Sequence, residues 1–234
     1  MTSYTSVKRQ DRNRQWFPMH RRGSSEFASL NLVSRKTYKN SAQSLRTSAQ
    51  SKVKQGDYEG AIALLTQLIK YYPTRANDYN NRGLIYFQMG QREKAIADYN
   101  RALQINPELD SAYNNRANYY ISTGRVAEAL ADYEKALDLN PGNARTWINQ
   151  AITFRELGLY DLAIENLDLA LMLGYLENHS YAERGRTYHL RGDWNCAIAD
   201  YQRALKLLPL SGKSGRLRRN VELWINQLLE PLTA

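Results

Sequence analysis

Residues 76–109 read ANDYNNRGLIYFQMGQREKAIADYNRALQINPEL, and residues 110–143 read DSAYNNRANYYISTGRVAEALADYEKALDLNPGN. The two stretches have the same length and align without an insertion or a deletion. Each contains a glycine at the same place, and the spacing of 34 residues extends to five glycines along the chain: Gly56, Gly90, Gly124, Gly158 and Gly192. A strict period of this length is typical of a stack of repeated units, in which each unit buries its apolar face against its neighbours.

Each unit reads as two helices separated by the glycine. Small and apolar residues recur every three or four positions before Gly90 and again after it, which is the pattern of two amphipathic helices. Small residues such as Gly83 and Ala95 allow the two backbones to approach closely. Pro107 ends the second helix, because proline cannot continue a helix interior. The sequence therefore predicts an all-α protein made of helix-turn-helix units.

The residues within one unit resemble the signature of the tetratricopeptide repeat. In residues 76–109 the resemblance is carried by Tyr79, Gly83, Tyr86, Ala95, Tyr99, Ala102 and Pro107. It implies a solenoid wound as a right-handed superhelix, with the first helix of each unit lining a concave groove. It covers five ranges: 42–75, 76–109, 110–143, 144–177 and 178–211. The first is the poorest match, and terminal repeats are expected to be atypical.

The two ends of the chain lack this period. Residues 1–41 hold nine Lys or Arg residues against Asp11 and Glu26, which gives them +7 of the chain's net +9. A polar, basic segment without periodicity is predicted to be mostly disordered. Three roles stay open for it: a solvated tail, an electrostatic arm for nucleic acid or an anionic membrane surface, and an organellar transit peptide.

Residues 212–234 are predicted to hold a capping helix and a tail. Five apolar residues follow the spacing of one helix face: Leu217, Val221, Trp224, Ile225 and Leu228. A repeat stack exposes apolar surface on its last helix pair, and an extra helix covers that surface. A second basic cluster, formed by Lys213, Arg216, Arg218 and Arg219, is predicted to be its solvated rim.

The composition favours a cytoplasmic, non-catalytic protein. The single cysteine, Cys196, fits a reducing compartment, and its place beside Ala197 predicts a buried thiol. The sequence shows no apolar run long enough for a membrane span, no phosphate loop and no nucleophile elbow. His179 and His189 are too far apart to form a helical metal pair. We therefore expect no enzymatic activity, no cofactor, no metal and no small-molecule substrate.

Two positions of the repeat change together. The seventh residue of repeats two to five is Arg82, Arg116, Gln150 and Arg184, and the twenty-third is Asp98, Asp132, Asn166 and Asp200. Where arginine becomes glutamine, aspartate becomes asparagine, so a possible ion pair is replaced by a possible amide pair. This matched exchange predicts a contact between two helices.

The candidate binding residues lie on the first helix of each unit. Asparagine is a mediocre helix former, so several mid-helix asparagines in adjacent repeats indicate a role other than helix formation. A side-chain amide both donates and accepts, as a peptide backbone does, and the row is similar to the asparagine ladder in the repeat region of O-linked N-acetylglucosamine transferase. The alternative is that these amides stabilise the stack. Arginines towards the carboxy-terminal repeats favour acidic ligands. The predicted groove residues are Asn77, Asn80, Asn81, Asn114, Asn115, Asn118, Asn149, Arg145, Arg155 and Arg186.

The sequence thus predicts an interaction adaptor or scaffold that binds an extended, acidic protein segment and takes part in complex assembly. The alternative is a factor associated with nucleic acid or ribonucleoprotein, which would use residues 1–41 and the groove arginines.

Overall fold

A computed structural model describes residues 42–209 and 215–229 of the chain. These residues form eleven α-helices and no strand. The chain divides into two units, Met1–Ser44 and Leu45–Ala234, and only residues 42–44 of the first are described. The prediction of disorder in residues 1–41 lies outside the described residues, and the division into 1–41, 42–211 and 212–234 stays a prediction.

The helices follow one another with short turns. Helix α1 covers 42–55 within the described range. The others are α2 (Tyr58–Tyr71), α3 (Ala76–Gln88), α4 (Arg92–Ile105), α5 (Asp110–Ser122), α6 (Val126–Leu139), α7 (Ala144–Glu156), α8 (Tyr160–Met172), α9 (Glu177–Arg191), α10 (Trp194–Leu207) and α11 (Gly215–Leu229). Successive helices pack against each other, which confirms the predicted all-α stack of helix pairs.

The repeated glycines form the turns inside the pairs. Gly90 has a φ of 73° and Gly124 a φ of 76°, in the left-handed region that a residue with a side chain rarely adopts. After Gly90, the Gln91 backbone N–H donates to the Tyr86 carbonyl at 2.9 Å, which satisfies an acceptor at the end of α3. The period of the glycines is therefore the period of these turns.

Small residues at the helix crossing bring the two helices of a pair together. A Cβ on Gly83 would lie 2.9 Å from Tyr99 Cε1 and 3.2 Å from the Ala95 carbonyl oxygen, so the ring packs directly on the α3 backbone. Ala95 and Tyr99 are fully buried as a result. The side chains at these positions fix the distance between the helices of each unit.

Helix α11 covers the last pair as predicted. Val221 is fully buried and Leu228 nearly so, and both belong to one apolar cluster with Tyr201 and Leu208 of the fifth repeat. Arg218 is not part of a solvated rim, which corrects that prediction. Its Nη1 donates to the Leu205 and Leu208 carbonyls at 3.0 and 2.9 Å, because the last carbonyls of α10 have no partner within their own helix.

The prediction of a buried cysteine is wrong. Cys196 is exposed, whereas its neighbour Ala197 is fully buried. Successive residues of a helix point about 100° apart, so adjacency to a buried alanine does not place a side chain inside.

None of the described helices is long and apolar enough to cross a bilayer.

Candidate functional site

The arginine and aspartate positions pair as the matched exchange predicted. Arg116 Nε and Nη2 donate to Asp132 at 2.7 and 2.8 Å, and this hydrogen bond raises the pKa of the guanidinium. In the fourth repeat, Asn166 Nδ2 donates to Gln150 Oε1 at 2.9 Å, so an amide pair replaces the ion pair. The second and the fifth repeats each have the same ion pair, Arg82–Asp98 in the second and Arg184–Asp200 in the fifth.

These arginines also connect neighbouring repeats. Nη1 of Arg116 donates to Asn100 Oδ1 on α4 at 2.9 Å, and Nη1 of Arg82 donates to Thr66 Oγ1 on α2 at 3.0 Å. Each guanidinium therefore joins both helices of its own pair to the second helix of the pair before. The arrangement stabilises the stack and leaves little of the guanidinium available to a ligand.

The asparagine row forms a second set of contacts between repeats. Asn115 Nδ2 donates to Asn80 Oδ1 at 3.0 Å, and Asn149 Nδ2 donates to Asn114 Oδ1 at 2.9 Å. Asn80 and Asn114 are buried, with exposed fractions of 5% and 2%. These contacts favour the alternative in which the amides of Asn80 and Asn114 stabilise the stack.

Asn81 differs from its counterparts in the later repeats. The contact made by Asn115 would require an amide at position 46, where the chain has Arg46, and Arg46 pairs with Asp78 at 2.7 and 2.8 Å. Asn81 and Asn77 are exposed and make no side-chain hydrogen bond within the described residues. Of the asparagines in the predicted groove, these two have fully available amides.

Asn118 is bound inside its own unit. It accepts a hydrogen bond from the Tyr133 hydroxyl at 2.6 Å, and burial raises the pKa of Tyr133 to about 12. Tyr99 has the equivalent place in the preceding repeat, and its buried hydroxyl has no partner within the described residues. The residue that corresponds to Asn118 there is Leu84, which cannot accept a hydrogen bond.

This difference predicts opposite effects of the same substitution. Tyr133→Phe is expected to lower the free energy of unfolding by about 1 kcal/mol, because Asn118 loses its donor. Tyr99→Phe is expected to leave stability unchanged or to raise it, because it removes an unpaired buried hydroxyl. Urea unfolding of both variants measures the difference, and a larger loss in Tyr99→Phe than in Tyr133→Phe would contradict it.

The three predicted arginines have different surroundings. Arg155 Nη1 forms an ion pair with Glu183 Oε2 at 2.6 Å, and both side chains are largely buried. Arg186 lies over the Trp224 ring, 5.4 Å from its centroid, and Nη1 is 3.4 Å from Gln227 Oε1. Arg145 is exposed and makes no ion pair within the described residues, so its charge is available to a ligand.

A groove of about 580 Å³ brings two of the predicted residues together. Its floor is apolar and is formed by Ala49, Val53, Leu65, Leu84 and Ile85, and its polar rim is formed by Arg46, Gln50, Lys54, Asn81, Gln88 and Arg145. The groove thus combines a surface for an apolar side chain with available amides and cations. Sequence reasoning did not single out the floor, since its apolar residues look like any other core position of a helix.

Arg145 also lines a smaller hollow of about 170 Å³ between α7 and α9. Its other walls are Ile148, Asn149, Ile152, Leu176, His179 and Glu183. Burial lowers the pKa of His179; Glu183 opposes the shift and Arg145 adds to it. Asn149 and Arg145 lie one turn apart on α7 and form the same wall of this hollow, whereas Arg155 and Arg186 line neither cavity.

Among the described residues, no group of three His, Cys, Asp or Glu side chains is placed to hold a metal ion.

Comparison with known proteins identifies the repeat. The sequence matches the tetratricopeptide repeat family at residues 76–109 and 111–143, again at 132–165, and matches a TPR repeat family at 49–90. The chain belongs to the tetratricopeptide repeat family, whose members serve as protein interaction scaffolds. No curated protein matches the sequence.

Solved structures show the same fold. TTC0263, a thermophilic TPR protein of Thermus thermophilus, superposes with a TM-score of 0.70 at 19% identity, covering 79% of this chain and 98% of that one. PilW, a type IV pilus biogenesis factor, gives 0.65 at 21% identity, covering 82% and 94%. MamA of Desulfovibrio magneticus RS-1 gives 0.57 at 17% identity, covering 71% and 94%. At these identities the likeness concerns the fold alone.

Proposed function

We propose that this protein is a non-catalytic adaptor that binds an extended, acidic segment of a partner protein in its concave groove. The observation that carries the proposal is the groove of about 580 Å³, with its apolar floor and cationic rim. Apolar surface with a few directed polar groups is the usual composition of a ligand site. Assembly of a larger complex is the role that such an adaptor serves.

The chemistry of the rim indicates what the segment carries. Lys54 and Arg145 make no ion pair within the described residues, whereas Arg46 is neutralised by Asp78. Two available cations on one rim favour carboxylates, and guanidinium binds a carboxylate through two parallel hydrogen bonds. The apolar floor beneath them accepts one aliphatic or aromatic side chain. The preferred segment is therefore an apolar residue flanked by Asp or Glu.

The amides contribute unequally to this binding. Asn81 faces the groove with both its donor and its acceptor available, so it is placed to hold a peptide backbone group. Asn115 and Asn149 already donate to the preceding repeat. Asn81→Ala is therefore expected to weaken binding two- to tenfold, the range of one neutral hydrogen bond of about 0.5–1.5 kcal/mol. Asn115→Ala and Asn149→Ala are expected mainly to lower the free energy of unfolding, because they remove contacts between repeats.

The test uses labelled synthetic peptides and the full chain. A twelve-residue peptide of Asp and Glu with one central Leu is compared with forms in which Lys replaces the acids or Ser replaces the Leu. Arg145→Gln is expected to weaken the acidic peptide about tenfold and to flatten the dependence of its affinity on salt. Leu84→Gln is expected to remove the preference for Leu over Ser. Fluorescence anisotropy measures each affinity.

Arg101→Gln is the matched control, because Arg101 is exposed on α4 and lines neither the groove nor the smaller hollow between α7 and α9. It removes the same charge and is expected to leave the peptide affinity unchanged. If Asn81→Ala, Arg145→Gln and Leu84→Gln all bind the acidic peptide with the affinity of the wild type, the proposal is overturned. If, in addition, a labelled 20-nucleotide single-stranded RNA binds the intact chain and not a chain without residues 1–41, the nucleic-acid alternative replaces it.

A further inference from the structure

The outer face of α8 is apolar and exposed. Leu162 and Leu169 have exposed fractions of 42% and 40%, Met172 of 83%, and Tyr175, in the turn after the helix, of 69%. The residues that α8 buries, including Ala163, Leu167 and Ala170, lie on the opposite side of the helix. We call Leu162, Leu169, Met172 and Tyr175 the α8 patch. It lies away from both the groove and the helix contacts that hold the stack together.

The other repeats show that the stack does not require apolar residues there. At the place of Leu169 they have Gln67, Arg101, Lys135 and Arg203. At the place of Met172 they have Lys70, Gln104, Asp138 and Lys206, and at the place of Tyr175 they all have proline. Because one chain repeats the same unit, these positions are internal controls for packing. The fourth repeat alone has large apolar residues at all of them, and a group of exposed apolar side chains on one helix face is a feature of contact sites.

The charge of α8 also differs from that of the second helices in the other repeats. Tyr160–Met172 contains three carboxylates and no Lys or Arg. Asp161 is paired with Arg191 and Asp168 with Arg184, both from α9, whereas Glu165 is exposed and has no ion pair within the described residues. Every other repeat has alanine at the place of Glu165. An unpaired carboxylate therefore lies one turn from both Leu162 and Leu169, on the same helix face.

We propose that the α8 patch is a second docking surface, which binds an amphipathic helix of a partner protein whose apolar residues flank a Lys or Arg. The apolar residues of the partner cover Leu162, Leu169 and Met172, and its cation pairs with Glu165. Binding of an amphipathic helix through anchors at spacings of three, four and seven residues is a common recognition mode. With the groove on the first helices, the protein then holds two partners at once.

A second copy of this chain fits the patch less well. A two-fold contact places the same surface on both subunits, so the two Glu165 carboxylates would enter one apolar interface without a cation. A buried unpaired charge opposes such a contact. Glu165 thus selects against self-association and for a basic partner.

The experiment uses the intact chain and a fourteen-residue helical peptide, with Leu at spacings of three, four and seven and Lys between them. The same peptide with Glu in place of Lys is its charge control. The double variant Leu169→Gln with Met172→Gln introduces the residues found at these places in the first and second repeats, so the fold tolerates them. It is expected to weaken the Lys peptide at least tenfold with an unchanged melting temperature. Isothermal calorimetry measures the affinity.

Glu165→Ala tests the electrostatic part, because alanine is the residue of every other repeat at this place. It is expected to bring the affinities of the Lys and Glu peptides within about twofold of each other. Lys135→Gln, on the outer face of α6, is the matched control and is expected to change neither. Arg145→Gln and Leu84→Gln in the groove are expected to leave this binding unchanged, so the two proposals succeed or fail separately.

Three results would overturn the docking surface. One is an equal affinity of the Lys peptide for the wild type and the Leu169→Gln, Met172→Gln variant. Another is a wild type that binds the Glu peptide as well as the Lys peptide. The third is a concentration-dependent dimer in sedimentation equilibrium that the double variant abolishes, since a second copy then occupies the patch.

Discussion

Val221→Asp is expected to detach α11 from the fifth repeat and to lower the free energy of unfolding by roughly 2–4 kcal/mol. Val221 is fully buried in the cluster that contains Tyr201 and Leu208, so a carboxylate there loses its hydration without gaining a partner. Detachment of α11 restores the hydration of the carboxylate, but the chain then loses the burial of Val221 and Leu228 and exposes the last helix pair. A loss of this size lowers the melting temperature by about 5–15 °C in a chain of this length.

Leu223→Asp is the matched control, because Leu223 lies on the same helix with an exposed fraction of 55%. It introduces the same charge and is expected to change the melting temperature little. Circular dichroism follows unfolding, and light scattering after gel filtration detects association through the exposed face. A Val221→Asp protein that melts and elutes like the wild type would show that α11 does not stabilise the stack.

The fold was predictable because the same structural residues recur at the same positions of the repeats. The turn glycines such as Gly90 and the close-packed residues such as Gly83 determine the unit through local geometry, and the period makes the pattern visible five times. The exchange of Arg and Asp for Gln150 and Asn166 was readable for the same reason. One repeat served as a control for another, and the structure confirms the contact.

The binding residues were less predictable. Spacing along a helix shows that two residues share a face, but it does not show how far the next helix covers that face. Asn80 therefore reads from the sequence as a groove residue, whereas the neighbouring repeat buries it and bonds its oxygen to Asn115. Asn81 remains available only because the preceding repeat has Arg46 where an amide would be needed.

The α8 patch does not stand out in the sequence, because large apolar residues on an amphipathic helix ordinarily belong to its packed face. The sequence contains the signal, since Leu169 and Met172 replace polar or charged residues of the other repeats. Reading it requires knowledge of which helix face the stack leaves exposed, and the structure supplies this. Departures from the repeat consensus are thus most informative at positions where the fold demands nothing.

A double-mutant cycle on Arg116 and Asp132 is expected to show strong coupling. Arg116→Gln alone leaves a carboxylate with an exposed side-chain fraction of 10% facing an amide, which we expect to cost about 2–3 kcal/mol. Asp132→Asn alone leaves the guanidinium without its bidentate acceptor. The double variant reproduces the pair Gln150–Asn166 and is expected to recover most of the loss, with a coupling energy of roughly 0.5–3 kcal/mol.

A cycle is needed because Arg116 has contacts other than Asp132, and the cycle cancels the effect of losing them. Its guanidinium lies 5.5 Å from the centroid of the Tyr113 ring and donates to Asn100, and both contacts are lost equally with and without Asp132. The exposed pair Arg125–Glu128 is the control, and solvent screening is expected to leave it without measurable coupling. Urea unfolding of the four proteins in each cycle gives the two coupling energies. Equal values would mean that the buried ion pair contributes no more to the stack than a surface one, and that the matched exchange in the fourth repeat has no energetic basis.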